Sequence, residues 1–225
     1  MSQSTPAVSL EGIRFAHPGA ERPLLEDVDL TLQPGEMAAV LGPSGVGKST
    51  LLNLVAGLAT PAAGRVTVLG TEVAALGESA AAQWRRQHLG FVFQRFHLLP
   101  HLTVSENVAL PLALNGTAWT EAELRAFLDR LGLADHAAAY PRHLSGGQAQ
   151  RTAIARALIH RPAVLLADEL TGNLDEETAV AVMDLLTETV AELGTTTLVV
   201  THAPEVAERA HAGYRLAHHR LQREW

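Results

Sequence analysis

Between Gly42 and Thr50 the chain reads Gly-Pro-Ser-Gly-Val-Gly-Lys-Ser-Thr, a lysine and several hydroxyls set among glycines. Gly42, Gly47, Lys48 and Ser49 hold the defining positions of the phosphate-binding pattern G-x-x-x-x-G-K-[ST]. Glycines let the backbone curl so that successive N–H groups converge on one concavity, toward which the next helix turns its positive end. A polyphosphate fits such a cradle. Lys48 would supply a point charge for its β- and γ-phosphates, and the Ser49 hydroxyl is placed to ligate the Mg²⁺ that travels with them.

Asp168 and Glu169 close the apolar run Val164 to Ala167. A carboxylate at the end of a buried strand can hold Mg²⁺ opposite Ser49, and its neighbour can take a proton from an attacking water. Without a phosphate loop upstream the pair would read as solvated acids. His202 ends the next apolar run at the same edge, where its imidazole could reach a γ-phosphate. A further stretch, Leu144-Ser145-Gly146-Gly147-Gln148, has a good N-cap in Ser145 and two glycines that bring helix N–H groups close to an anion. It reads either as a plain capped helix or as a second phosphate-binding helix start.

The elements around these residues follow from periodicity. Val8 to Phe15 and Leu24 to Leu32 alternate as strands about a turn at Pro18-Gly19, which predicts a small antiparallel sheet. Met37 to Leu41 is a strand leading into the phosphate loop, and Leu51, Leu52, Leu54 and Val55 give the helix after it. Arg65 to Leu69 resumes as a strand. Residues 71–90 are Ala-rich, with Arg85-Arg86 at a solvated helix end, and Gly90 to Gln94 forms a short strand ending in a glutamine. A run from Phe96 to Leu114 follows, with prolines at Pro100 and Pro111. Thr120 caps a helix stopped at Gly132. Helices follow from Ser145 to about Arg161 and from Glu176 to Leu193, with a strand from Thr196 to Val200 and Pro204 at N1 of another helix. Strands alternating with helices behind a phosphate loop imply an open parallel sheet with ligands at the strands' carboxyl ends.

The chain has 225 residues, 47% hydrophobic and 18% charged, enough for one domain with a sizeable core. A net charge of −7 argues against nucleic-acid binding through a broad basic surface. With no cysteine, disulfides and thiol chemistry are excluded. The first residues lack the pattern of a signal peptide, and no apolar run approaches the ~18 residues a membrane span needs, so the chain reads as soluble.

Leu144 to Gln148 resembles the signature of ATP-binding cassette (ABC) transporter ATPases, and it stands in the right order with the family's other motifs from about Val8 to Leu221. The resemblance implies an α/β fold of the P-loop NTPase class: one cassette over residues 1–225, with a RecA-like core, a small antiparallel β-subdomain and a helical subdomain at about 85–160. It implies ATP and Mg²⁺ as cofactors. By the same resemblance Gln94 is the Q-loop glutamine linking Mg²⁺ and the attacking water to the helical subdomain. Asp168 becomes the Walker B aspartate, Glu169 the catalytic base, His202 the switch histidine, and Gly172 to Asp175 the D-loop. Pro43, Ser44, Gly45 and Thr50 join the other loop residues around the phosphates, and His17 stands at the adenine-stacking position. Two cassettes would pair head to tail as a homodimer or pseudo-dimer. Ser145, Gly146, Gly147, Gln148 and Asp175 of one would then complete the site holding the other's Lys48. Phe91 to Pro100 and Thr171 to Asp175 resemble the subgroup of lipoprotein-release, macrolide-export and cell-division cassettes. The partner implied is a transmembrane permease, with no nucleic acid, and the location cytoplasmic, at the inner face of the cell membrane through that permease. A soluble ABC protein of translation or DNA repair is the alternative; such chains usually carry two cassettes or a long inserted coiled coil, and neither is present. A nucleotide-binding module without turnover fits less well, because Glu169 is intact.

Six positions depart from the family pattern. His17 replaces the usual tyrosine, with Phe15 as fallback, which predicts weaker nucleotide affinity. Leu170 replaces a proline and is expected to leave the catalytic segment looser. Ala203 replaces the aspartate after the switch histidine, where it removes a helix cap. His218-His219 stands for an Asp-Gly turn and reads as a poor hairpin turn. Ala149 replaces a polar residue after the signature.

Overall fold

The computed structural model describes residues 5–225, so the reading of Met1 to Ser4 as leader-free lies outside the described residues. The chain opens with β1 (Val8–Phe15), β2 (Leu25–Leu32), β3 (Met37–Leu41), α1 (Lys48–Val55) and β4 (Ala63–Val68). It continues through α2 (Glu78–His88), β5 (Leu89–Val92), α3 (Val104–Asn115), α4 (Glu121–Arg130) and α5 (Gly146–Leu158). Then come β6 (Val164–Asp168), α6 (Glu176–Leu193), β7 (Thr196–Thr201), α7 (Pro204–Ala207), β8 (Ala212–Ala217) and β9 (Arg220–Arg223).

Two sheets result. The expected antiparallel sheet is present in the order β2-β1-β4, the strand after α1 supplying its third member. The larger sheet runs β5-β6-β7-β3-β8-β9 and is parallel except for the terminal β8-β9 hairpin. β3 is buried at every residue because it has apolar side chains for both faces of the sheet. Ala38 and Val40 join Leu51, Leu54 and Leu10 in a core beneath α1 and the antiparallel sheet. Met37, Ala39 and Leu41 join Ile154, Leu158, Met183 and Leu186 in a second core under α5 and α6. A third core lies among the helices, from Val104 and Val108 to Leu124, Leu128 and Ala155.

The sequence placed several ends closely. Thr120 caps α4 and shares a capping box with Glu123. Asp175 caps α6, which ends at Gly194 in the left-handed conformation (φ 66°). The run from Phe96 to Leu114 contains most of α3, which continues through Pro111 after a capping box of Thr103 with Glu106. Buried Asn107 secures its entry, donating to the carbonyls of Leu99, Leu102 and Thr103 and accepting from Leu99 N–H at 2.8 Å. Arg85 and Arg86 do stand in the last turn of α2, Arg86 exposed as expected, and each also reaches beyond the helix: Arg85 donates to Gly57 O at 3.3 Å and Arg86 to Asn115 Oδ1 at 3.1 Å. The His218-His219 turn is as poor as expected, since both residues adopt positive φ (48° and 68°) without being glycine.

Candidate active site

The parallel register brings the carboxyl ends of neighbouring strands to one edge. Asp168 pairs with Val200, Leu41 with Thr201, and Val92 with Ala167. The segments that leave those ends therefore carry Gln94, Glu169, His202 and the phosphate loop into common space. A cavity of about 620 Å³ is lined there by His17, Ser44, Gly45, Gly47, Lys48, Ser49 and Thr50, and by Gln94, Glu169 and His202.

Two glycines of the loop are required by space and by backbone. A Cβ on Gly42 would stand 2.6 Å from the Leu216 carbonyl oxygen, and Gly47, which starts α1, has φ 114°. Lys48 is only 6% exposed, and its ammonium is held by three oxygens: Gly42 O at 2.7 Å, Pro43 O at 3.1 Å and Glu169 Oε1 at 3.1 Å. Those three contacts use all the donors a lysine has. The other oxygen of the Glu169 carboxylate lies 2.5 Å from His202 Nδ1. Glu169 itself sits at φ 48°, with its N–H donated to Val200 O at 2.9 Å. Burial pushes the Asp168 carboxyl above its usual range, and nearby Glu169 adds to this, while a hydrogen bond with Ser49 and the charge of Lys48 work against it. Asp168 Oδ1 is buried and has no hydrogen-bond partner among the described residues.

Ser145, Gly146, Gly147, Gln148 and Asp175 do not line this cavity. Ser145 caps α5 in a capping box with Gln148, and Gln148 Nε2 lies 2.9 Å from His136 Nε2. The two glycines pack against the same chain: a Cβ on Gly147 would stand 2.6 Å from Thr178 Cγ2, and one on Gly146 3.3 Å from Leu174 Cδ2. Asp175 accepts from Thr178 N–H at 2.9 Å, which lowers its pKa.

A family model described as ABC transporter matches residues 25–172, more than half of the chain. The chain belongs to the ABC transporter family. The cassette is 48% identical over 198 residues to the ABC transporter ATP-binding protein YtrE of Bacillus subtilis, covering 87% of this chain and 86% of that protein. It is 43% identical over 220 residues to the lipoprotein-releasing system ATP-binding protein LolD of Alcanivorax borkumensis, covering 96% of each. With the macrolide export ATP-binding/permease protein MacB of Shigella flexneri it shares 45% identity over 210 residues, 92% of this chain but only 32% of that longer protein. Among solved structures, a dimer of the cassette MJ0796 in a post-hydrolysis state with ADP and Pi superposes with a TM-score of 0.86 at 37% identity, covering 96% of this chain and 97% of that one. As its family requires, this is an α/β ATPase cassette.

The departures from the family pattern have distinct outcomes. Phe15 is 9% exposed and belongs to the first core, so its ring is not free to stack on a ligand. His17 is exposed, stands edge-on to Phe15 at 5.2 Å between ring centroids, and lines the cavity. Leu170 does not leave its segment loose. It is 3% exposed in the second core, so packing holds what a proline would hold through φ. Ala203 does leave α7 without a side-chain cap, although its N–H finds Thr201 Oγ1 at 3.0 Å. Sequence reasoning missed Asn107 and Arg156, the latter donating to Phe96 O and His97 O. For Asn107 the capping box four residues long beside it was an available signal; for Arg156 there was none, since carbonyl acceptors leave no mark in sequence.

Proposed function

We propose that this ABC ATPase cassette works as a head-to-tail dimer on a membrane permease of the lipoprotein-release or macrolide-export kind. The observation that carries the reading is the split of its motifs. Lys48, Gln94, Glu169 and His202 meet in one cavity, while the Ser145 to Gln148 helix start lies outside it. A second copy can bring that helix start, with its N–H groups and positive end, to the γ-phosphate held by Lys48. The dimeric state of the MJ0796 cassette and the permease named in MacB support the pairing and the partner. No helix among the described residues is long and apolar enough to cross a membrane, so membrane contact would come through the permease. We place the helical subdomain at about residues 85–160, around the third core.

Within the site we assign Glu169 as the base that takes a proton from water, His202 as its neighbour at the γ-phosphate, and Lys48 as the charge on the β- and γ-phosphates. Gln94 orients the water, and the backbone of the loop from Gly42 to Thr50 cradles the phosphates. The orphaned Asp168 Oδ1 and the Ser49 hydroxyl are hard oxygen donors that fit Mg²⁺, with Gln94 as a third. Bound Mg²⁺ would neutralise charge on the phosphate oxygens.

His17 presents a smaller face to adenine than tyrosine would. Aromatic contacts are worth about 0.5–1.5 kcal/mol, so His17→Tyr should bind ATP about two- to tenfold more tightly. An unchanged dissociation constant in equilibrium titration would remove His17 from the stacking role.

Purification of the tagged cassette from detergent-solubilised membranes should recover an integral membrane protein in stoichiometric amount. Recovery with ribosomes or DNA and no membrane protein would instead favour a soluble role in translation or repair, which the transport-related names of the relatives do not support.

A further inference from the structure

Arg156 lies on α5, the helix that begins beside Ser145, and is partly buried. Burial disfavours its charge, yet it takes part in none of the ion pairs among the described residues. Its guanidinium instead donates from Nη2 to Phe96 O at 2.8 Å and from Nη1 to His97 O at 2.6 Å. A cation drawn partly out of water without a counter-ion is disfavoured, and the two carbonyls compensate it.

Those carbonyls belong to an unusual pair. Phe96 and His97 both adopt left-handed backbone, at φ 47° and 48°, which side chains bearing a Cβ avoid. They follow Gln94 after one intervening residue, Arg95. The Gln94 carbonyl accepts from Asn173 Nδ2 at 2.8 Å, in the loop after Glu169. The Gln94 side chain reaches the same loop, since a Cβ on Gly172 would stand 3.5 Å from Gln94 Nε2 and 3.9 Å from His202 Cε1. The segment 94–97 is thus pinned at its start to the loop behind the base and at its end to the signature helix. The ring of His97 also packs on Phe93, 4.7 Å between centroids.

We infer that Arg156 is a positioning residue for ATP hydrolysis: by clamping the two left-handed residues that follow Gln94 onto α5, it fixes where the Gln94 side chain points. The inference rests on the role proposed for Gln94. A planar guanidinium can span two consecutive carbonyls at fixed spacing, whereas an ammonium is a point donor that cannot reproduce the fork. Movement of α5 when its Ser145 end meets a second cassette would therefore reach Gln94 through two short bonds.

The test is a double-mutant cycle on the full cassette, with kcat and KM for ATP measured at one high protein concentration, together with the ATP dissociation constant and Tm. Arg156→Ala should lower kcat by about 10- to 100-fold, as a misplaced positioning group does, with ATP affinity changed by less than about twofold. In a Gln94→Ala background the same substitution should cost nothing further. Arg156→Lys should lose less, which keeps the test open if the alanine variant folds poorly. Adding Phe96→Gly and His97→Gly to Arg156→Ala should recover part of kcat, because glycine takes positive φ freely. Full additivity with Gln94→Ala overturns the inference alone. So does a loss of ATP affinity and Tm that accounts for the fall in kcat. Gln94→Ala with an unchanged kcat overturns the role of Gln94 and the inference with it.

Discussion

Glu169→Gln is expected to lower the rate of ATP hydrolysis by about 10²- to 10⁴-fold, the contribution of a positioned general base, while ATP stays bound. The two oxygens of the carboxylate are differently engaged, Oε1 by Lys48 at 3.1 Å and Oε2 by His202 at 2.5 Å. An amide keeps the shape and loses the charge and the basic lone pair, so it cannot take a proton from water. Its effect on binding should run the other way. Lys48 is saturated by three oxygens, and a triphosphate must displace one of them; the only anion among the three is Glu169. Removing that anion removes the competitor, so ATP affinity should be unchanged or higher and an ATP-bound dimer should accumulate. Single-turnover hydrolysis and size-exclusion chromatography with ATP read the two effects separately. Hydrolysis near the wild-type rate would end the assignment of Glu169 as base. A matching loss of ATP binding would make Glu169 a structural partner of Lys48 instead.

The legible parts of this chain are those in which cause and consequence are close in sequence. α6 runs from Glu176 to Leu193 as predicted, because Asp175 caps one end and Gly194 turns out of the other. The phosphate loop was legible for the same reason, its glycines, lysine and hydroxyl being consecutive. The meeting of Gln94, Glu169 and His202 with that loop followed from a topological rule, parallel strands ending at a common edge, and needed no knowledge of side-chain packing. What failed was local punctuation overruled by tertiary structure. The run holding Pro100 and Pro111 showed no element by itself; α3 forms there because it is anchored by a capping box and by Asn107 with all of its contacts made, and the helix tolerates the donor missing at Pro111. Leu170 was read as a loss of stiffness because proline restricts φ, while its burial in the core restrains the same segment by other means. Arg156 was illegible because its acceptors, two backbone carbonyls, are 59 and 60 residues away.

Hydrolysis should rise more steeply than linearly with cassette concentration, and Ser145→Arg should reduce it by more than about 100-fold while sparing ATP binding, because a bulky cation there would block a composite site built from two copies. Within one chain Ser145 has only a local duty: its Oγ accepts from Gln148 N–H at 3.3 Å, and Gln148 Oε1 accepts from Ser145 N–H at 2.8 Å. Losing that cap costs about 1 kcal/mol, small against the roughly 5–15 kcal/mol that holds a domain folded, so the fold should survive. Complementation separates a composite site from local damage. Ser145→Arg cassettes keep an intact Lys48, and Lys48→Ala cassettes keep an intact Ser145, so each is inactive alone. Mixed in equal amounts, half of the dimers are mixed and each of those holds one complete site of two, so activity should return to at most about a quarter of the wild-type value for a head-to-tail pair. Linear concentration dependence together with no recovery in the mixture would mean that each cassette hydrolyses ATP alone, and that the Ser145 helix start serves only to cap α5.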